Sequence, residues 1–494
     1  MRKNILYIVV CMLAFTSCKK FLDVQPESSV TKEQLFSTEE GFKEALNGVY
    51  TYCSSLDLYG GNLSFSNLDI LAQNYEFTDV NSQNIAAFKY NDAQWVAKEE
   101  QIWANAYKAI GNCNSILEVI DSKKSLFQGK NYEIVKGEAL TLRAYLHFDV
   151  LRMYAPSFKN NPAAKAIPYV TTVSINSTPF SSVREILDRV IADLTEAKTL
   201  LRGIDPILAS SYKVGYPNKK YPDNTADSLK STETKSQSVF LQNRRHRMNY
   251  YSVCGELARV YLYKQDLQNS LINAKEVIDS KKFPWTKLED FFNADEQQRD
   301  KILYPELISA WALGSAGMDH VNDRFTNNNA AFRPTITQKE IIYESGLGSE
   351  DWRYKQWFVD DQTSKRSNLQ KYTWNSSPKI NLHPVVAPAI RLSEMYYIAA
   401  EANFDSNPNL ATAYLDSVRV HRGIRILIPK TITKGDFIKE LAKDARKEFY
   451  GESQIFYMHK RLNLDITTTS GLIYPASDKI FVFPIPLTEL GYRN

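Results

Sequence analysis

The chain has 494 residues, and 44% of them are hydrophobic, enough to bury a large core behind its N-terminal segment. Its 60 basic and 56 acidic side chains nearly cancel, to a net charge of +4. That balance argues against nucleic acid as a partner, because phosphate binding needs clustered basic surface.

Met1 to Cys18 combines a basic head (Arg2, Lys3), an apolar run from Ile5 to Phe15 and the box Phe15-Thr16-Ser17-Cys18. This is the pattern of a secretory signal, too short to span a bilayer. A cysteine directly after such a signal is the acceptor for lipid, and acylation on more than one chain anchors a protein stably. The alternative is an ordinary secretion signal with an incidental cysteine. Residues 1–17 are thus expected to be a lipoprotein signal peptide, Cys18 the lipid attachment site and 18–30 a tether. Cys113 and Cys254 fall on helical patterns among apolar neighbours, where cysteine serves as a small core residue.

From Thr31 the pattern turns helical, with Phe36, Phe42, Leu46 and Tyr50 at compatible spacings. Leu56 to Tyr90, rich in Asn, Ser, Gly and Asp, predicts irregular structure. Long helices are predicted from about Gln94 to Asp121 and from Tyr132 to Tyr154, the second stopped by Pro156. Ser182-x-x-Glu185 has the form of a capping box opening a helix to about Leu201. Tyr212 to Arg245 is polar, with turn signals at Tyr216-Pro217-Asn218 and Tyr221-Pro222-Asp223. The basic run Arg244-Arg245-His246-Arg247 predicts a solvated loop.

Met248 to Ser280 predicts two helices about a turn at Gln265-Asp266, with Gly255, Ala258 and Ala274 letting the two backbones approach. A similar unit recurs at Arg391 to Gly423, broken at Asn407-Pro408-Asn409, and Gln94–Tyr154 makes a third pair. Helix-turn-helix units of about 34 residues are the signature of tetratricopeptide-like packing. Phe283 to Pro388 is loop-rich, with short strands expected around Glu306–Trp311 and Leu369–Trp374. A last helix is predicted from Asp436 to Lys460, and an extended segment from Phe481 to Pro486.

Five segments, in order along the chain, resemble the SusD/RagB family of surface lipoproteins. They are Cys18–Asp23, GEALTLRAYLHFDVLRMYA (Gly137–Ala155) and RMNYYSVCGELARVYLYKQD (Arg247–Asp266). RLSEMYYIAAEAN (Arg391–Asn403) continues into LDSVRVHRGI, and ARKEFYGESQIFYMHKRLN (Ala445–Asn463) is followed by FVFPIP. The resemblance implies a mainly α, SusD-like fold: tetratricopeptide-like helix pairs with long inserted loops that carry short strands and the ligand site. It makes 31–494 one domain, with a helical half at about 31–210, the polar excursion at 212–245 and a second half at 247–494. Glu394 and Glu401 are expected to bond within the scaffold.

The six histidines are scattered, with no H-E-x-x-H and no i, i+4 metal pair. No G-x-S-x-G elbow or phosphate loop occurs either. An enzyme is therefore not expected, and neither a cofactor nor a metal is called for, although carboxylate pairs for glycoside cleavage are a three-dimensional property. Five of the seven tryptophans lie between Trp285 and Trp374, marking that stretch for recognition. Sugar rings stack on indole and phenol, while Asn, Asp, Arg and Gln meet the hydroxyls. Two stretches offer that mixture, and the candidate ligand contacts are Tyr75, Trp95, His320, Arg324, Phe325 and Trp374.

The resemblance implies a lipid-anchored outer-membrane protein, facing the cell exterior, that captures an oligosaccharide for a SusC-like TonB-dependent transporter. Alternatives are peptide cargo in the same role, as in the RagB branch, and a helical-repeat scaffold that binds only protein.

Overall fold

A computed structural model describes residues 31–226, 230–326, 332–344, 350–375 and 381–493. The expected signal, Cys18 and the tether lie outside them, as does Asn327-Asn328-Asn329. The framework is helical. Helix α1 (Glu39–Cys53) is capped by Thr38, whose hydroxyl accepts from Gly41 N, and buries Phe42, Leu46, Val49 and Cys53 along one stripe. Helices α2 (Ala93–Ile120) and α3 (Asn131–Tyr154) form an antiparallel pair. Almost every residue of α3 is buried, so it is the central rod on which the others pack.

Helix α4 (Val183–Leu201) starts at the expected capping box, with Glu185 N donating to Ser182 Oγ and Ser182 N to Glu185 Oε2. It packs on α3 where Gly137 lies against Leu201; a Cβ there would stand 2.9 Å from Leu201 Cγ.

Helices α5 (Tyr250–Tyr263) and α6 (Leu267–Asp279) turn at Gln265, which takes φ 66°. Helix α7 (Ser315–Thr326) lies in the loop-rich region. The pair α8 (Leu392–Asn403) and α9 (Pro408–Val420) packs beside α6. The predicted last helix is two: α10 (Lys434–Glu448) and α11 (Ile455–Leu462). Gly451 and Ser453, at φ 71° and 57°, break the rod between them. Gly255 does not serve the α5–α6 contact expected of it. It faces Ile390, whose Cγ2 would be 2.8 Å from an added Cβ.

Among the described residues four antiparallel two-stranded ribbons accompany the helices: β1 (Lys165–Pro168) with β2 (Phe180–Ser182), β3 (Leu307–Ala312) with β6 (Val386–Arg391), β4 (Phe358–Asp361) with β5 (Arg366–Leu369), and β7 (Ile466–Thr467) with β8 (Ile473–Tyr474). The expected strand near Leu369–Trp374 thus lies slightly earlier, at β5. The β3–β6 ribbon is buried and runs from Leu307 opposite Arg391 to Ala312 opposite Val386. Phe481 to Pro486 is extended at its core, where Phe483 N donates to Met153 O at 3.0 Å, but short helices flank it at Asp478–Phe481 and Leu487–Gly491. Between Leu56 and Tyr90 two short helices, Asn67–Leu71 and Val80–Ala86, interrupt the expected irregular segment. One hydrophobic core runs from Phe36 to Phe483. Cys53, Cys113 and Cys254 are buried free thiols within it.

Candidate binding groove

The basic run at 244–247 is not solvated. Arg244 and Arg245 are almost wholly buried, because carboxylates await them on the framework. The Arg244 guanidinium donates to both oxygens of Asp205 at 2.9 Å and to Glu138 Oε1 at 2.6 Å. Arg245 makes a bidentate pair with Glu233 (2.8 and 2.6 Å) and donates to the carbonyls of Tyr304 and Gly215. These are charge-assisted, planar contacts, the geometry in which arginine is best buried. They fix a single 3₁₀ turn, Arg244–His246, entered through Asn243 in the left-handed region at φ 47°. Asn243 N donates to Glu233 O at 2.8 Å. With the two arginines drawn inward, Asn243 and His246 face outward.

Three adjoining hollows meet at Asn243, with volumes of about 350, 320 and 230 Å³. The largest lies between the polar excursion and the segment before β6, and its edge is formed by Trp374, Met318 of α7, Asn218 and Asn381. Asn218 Nδ2 donates to Asn381 O at 2.8 Å, and Asn375 N to Asn381 Oδ1 at 2.8 Å, so the amides brace one another. Its floor is aromatic. Tyr304 stacks on His383, with ring centroids 5.1 Å apart and planes 10° apart, and its hydroxyl shares a hydrogen bond with His246 Nε2 at 3.0 Å.

The second hollow reaches α1. There the Arg247 guanidinium covers the rings of Tyr50 and Phe240 at 4.5 and 4.6 Å and donates to Asn47 Oδ1 at 2.7 Å. The third is lined by Tyr216, Tyr221, Lys219 and Lys235.

Burial pushes the His246 imidazole down to about 4, with the neighbouring Arg245 charge adding to it, and burial lowers His383 as well. At neutral pH both rings are uncharged and offer a hydrogen bond without a charge. Glu233 is the one carboxylate among the described lining residues of the three hollows. Arg245 clamps it and, against the effect of burial, holds its pKa below the usual range. The surface offers flat aromatic faces, amides and neutral imidazoles, with Lys219, Lys235 and Arg247 beside them, a set suited to hydroxyl-rich ligands.

Of the residues singled out in the sequence, Trp374 lies on this groove and is half-buried. Four others gather elsewhere. Tyr75, 2% exposed, is ringed by Phe77, Phe325, Phe332 and Tyr450. Phe325 is wholly buried on the inner face of α7. Arg324 donates to Phe65 O and shares a hydrogen bond with His320 Nε2, both at 2.9 Å, and burial lowers its guanidinium to about 10. Trp95 packs between Tyr90 and Phe483 on the buried stripe of α2. The groove's Asn218, Asn243, His246, Tyr304, Asn381 and His383 went unmarked in the sequence. The signal that was there is the pair of Pro-Asn and Pro-Asp turns in 212–245, whose polarity reads equally well as plain solvent exposure. Glu394 and Glu401, as expected, bond within the scaffold, to Arg259 and Arg461.

A helical framework whose insertions build an open polar and aromatic groove defines a class of binding protein, and comparison with known proteins agrees. A family model described as "Starch-binding associating with outer membrane" matches residues 20–206, and the SusD family model matches 289–481. One SusD-like protein of Formosa agariphila is 21% identical over 477 residues, covering 84% of this chain and 81% of that protein. A second from the same organism is 26% identical over 197 residues, 39% of this chain and 36% of that protein. Among solved structures, a SusD-like carbohydrate binding protein from Bacteroides vulgatus superposes with a TM-score of 0.69 at 18% identity, covering 92% of this chain and 96% of that one. A SusD superfamily protein from Bacteroides thetaiotaomicron gives 0.68 at 20% identity, with 92% and 98% covered. The chain belongs to the SusD/RagB family, and its fold is the mainly α fold of that superfamily. The family implies nutrient binding at the cell surface in association with the outer membrane. No helix among the described residues is long and apolar enough to cross a membrane.

Proposed function

We propose that this protein is a non-catalytic, lipid-anchored surface protein that captures an oligosaccharide in the groove around Asn243 and delivers it to a SusC-like TonB-dependent transporter. Residues 31–494 act as one unit behind a tether acylated at Cys18. The observation that carries the reading is the groove itself. Trp374 and the stacked Tyr304–His383 pair offer faces for sugar rings, and Asn218, Asn243, Asn381 and His246 offer edges for hydroxyls. Each well-made polar contact adds a net ~1 kcal/mol, and a hydroxyl left unmatched costs more. Glu233, tied to Arg245, is not available as an acid or base.

Calorimetry against a glycan panel tests this. At least one glycan class is expected to bind, and Trp374→Ala to weaken it by about fivefold or more, in line with ~1–3 kcal/mol for losing an aromatic stacking face. No affinity for any glycan, with a peptide found by mass spectrometry in protein purified from its native membrane, would replace sugar with peptide as the cargo. Mass spectrometry of the mature N-terminus is expected to show acyl groups on Cys18.

A further inference from the structure

The charge of the chain is unevenly placed. From Tyr212 to Arg247 there are eight lysines and arginines against three aspartates and glutamates, a net +5, whereas the whole chain carries +4. The segment that builds the groove is therefore basic, and the rest of the chain is one charge negative. Carboxylates meet much of this excess from below. Asp205 and Glu138 take Arg244, Glu138 also takes Arg247, and Asp295 lies 3.4 Å from the Lys220 ammonium.

The third hollow keeps some of it. Lys219, Lys230 and Lys235 line its wall together with Tyr216, Tyr221 and Tyr304. Glu233, the carboxylate of that wall, is 6% exposed and already committed: Arg245 holds both its oxygens, and Gly215 N donates to Oε2 at 3.1 Å. Asp290, buried outside the lining, holds the Lys219 ammonium at 2.5 Å, 5.5 and 5.8 Å from the ring centres of Tyr216 and Tyr221. Lys235 is exposed, and its ammonium makes no ion pair or hydrogen bond among the described residues. A guest entering here meets ammonium groups and no free carboxylate.

A neutral sugar gains little from such a wall, whereas an anion gains charge-assisted hydrogen bonds, roughly twice as strong as neutral ones. Lysine is a point charge with rotatable donors, so it accepts a carboxylate or a sulfate ester alike, without the planar preference of arginine. Pro217, Thr234, Asn243 and Tyr304 line both this hollow and the largest one, so one run of sugar rings can lie on Trp374 and still reach the lysines.

We propose that the cargo of the groove is an acidic oligosaccharide, whose carboxylate or sulfate sits in the third hollow against Lys235 and Lys219 while its rings lie on Tyr304 and Trp374. This rests on the glycan capture proposed above. The test is calorimetry on the full mature chain with matched pairs: oligogalacturonates and other uronate oligosaccharides against their methyl esters, and sulfated galactan oligosaccharides against their desulfated forms. A charged member is expected to bind, and its neutral counterpart at least about tenfold more weakly. Whether the uronate or the sulfate arm binds identifies the anion. Lys235→Gln should lower the ratio of charged to neutral affinity by about two- to fivefold, the worth of one exposed charge contact. Added salt should lower the same ratio. Trp374→Ala should weaken both members of a pair alike and leave the ratio at its wild-type value, with thermal melts confirming that each variant is folded.

A neutral member that binds as tightly as its charged counterpart would overturn the acidic cargo and leave glycan capture standing. So would binding of a neutral glycan when no charged member binds, or a ratio that Lys235→Gln does not move. Absence of binding to every glycan, charged or neutral, would remove both readings.

Discussion

The helix-pair framework and the inserted segments both bury charge, but they use it differently. In the framework the charges close on one another. Glu448 lies between Arg353, Arg391 and Arg422 with contacts of 2.7 to 2.9 Å, and Arg422 also grips Glu306. All five side chains are buried, and the network continues to Asp351 and Asp444 through Arg353 and to Glu452 through Arg391. In the insertions the arginines pair with carboxylates too, but there the pairs hold a turn, and Arg245 adds bonds to the carbonyls of Tyr304 and Gly215. Arg244 and Arg245 pin one turn from beneath, and what that turn shows to solvent is amide and neutral imidazole. A rigid polar surface with its strong charges tied down gains specificity from partly unmet hydrogen bonds, which a fully satisfied network cannot supply.

The largest way to break this contrast is to remove the hub of the closed network. Glu448→Gln removes the one carboxylate that three buried guanidiniums share, leaving each a single remaining side of partners (Asp351 and Asp444, Glu452, Glu306), and is expected to destabilise by about 3–5 kcal/mol in chemical denaturation. Burial alone would raise the Glu448 carboxyl, yet Arg422, Arg391 and Arg353 hold it well below the usual range. Its contribution is therefore present above the ordinary glutamate range and lost as pH falls through the lowered native value. The wild-type stability curve should drop steeply in acid, and that of Glu448→Gln should drop less.

Next is Gly255→Val, which drives side-chain atoms into Ile390 of β6 and should cost about 1–3 kcal/mol while glycan affinity stays unchanged in the folded fraction. Trp374→Ala is the converse: affinity falls as given above, and the denaturation midpoint hardly moves because the residue is only half-buried at the groove edge.

A subtler measurement concerns Asp69, buried under the loop that holds Tyr450. Burial raises its carboxyl to about 8, against the pull of the Ser453 N–H, the Asn74 amide and the Lys371 charge. Between the unfolded value near 4 and about 8 the native state holds the extra proton, so stability falls as pH rises across that window. Asp69→Asn should flatten that slope, read from melts at pH 5 to 9. Smallest is Ser182→Ala, which removes the capping box of α4 for about 1 kcal/mol.

The framework was readable because its signals are local. The capping box at Ser182, the stop at Pro156 and the turn at Gln265-Asp266 act within a few residues of where they are written. The groove was not, because what makes it depends on partners far along the chain. Arg244 looks solvated until Glu138 and Asp205 arrive, and their arrival is what turns Asn243 and His246 outward. Aromatic richness misleads for a similar reason. Trp95 and Tyr75 sit in segments whose polar neighbours suggest a ligand surface, yet large rings are also the best filler for gaps between helices, and both face inward here. Trp374 stands out on the groove only because Asn381 and Met318 are folded beside it.

The β3–β6 ribbon carries a consequence for how such a molecule diversifies. Ala312 and Val386 are neighbours across the ladder, so the stretch between them departs and returns at one doorway. Met318 and Trp374 both belong to that stretch. A substitute cassette spliced at the same threshold leaves the helical chassis untouched only if it keeps Arg353, which reaches Glu448, and the stacked Phe325–Tyr372 pair, whose Tyr372 hydroxyl holds Gly451 O.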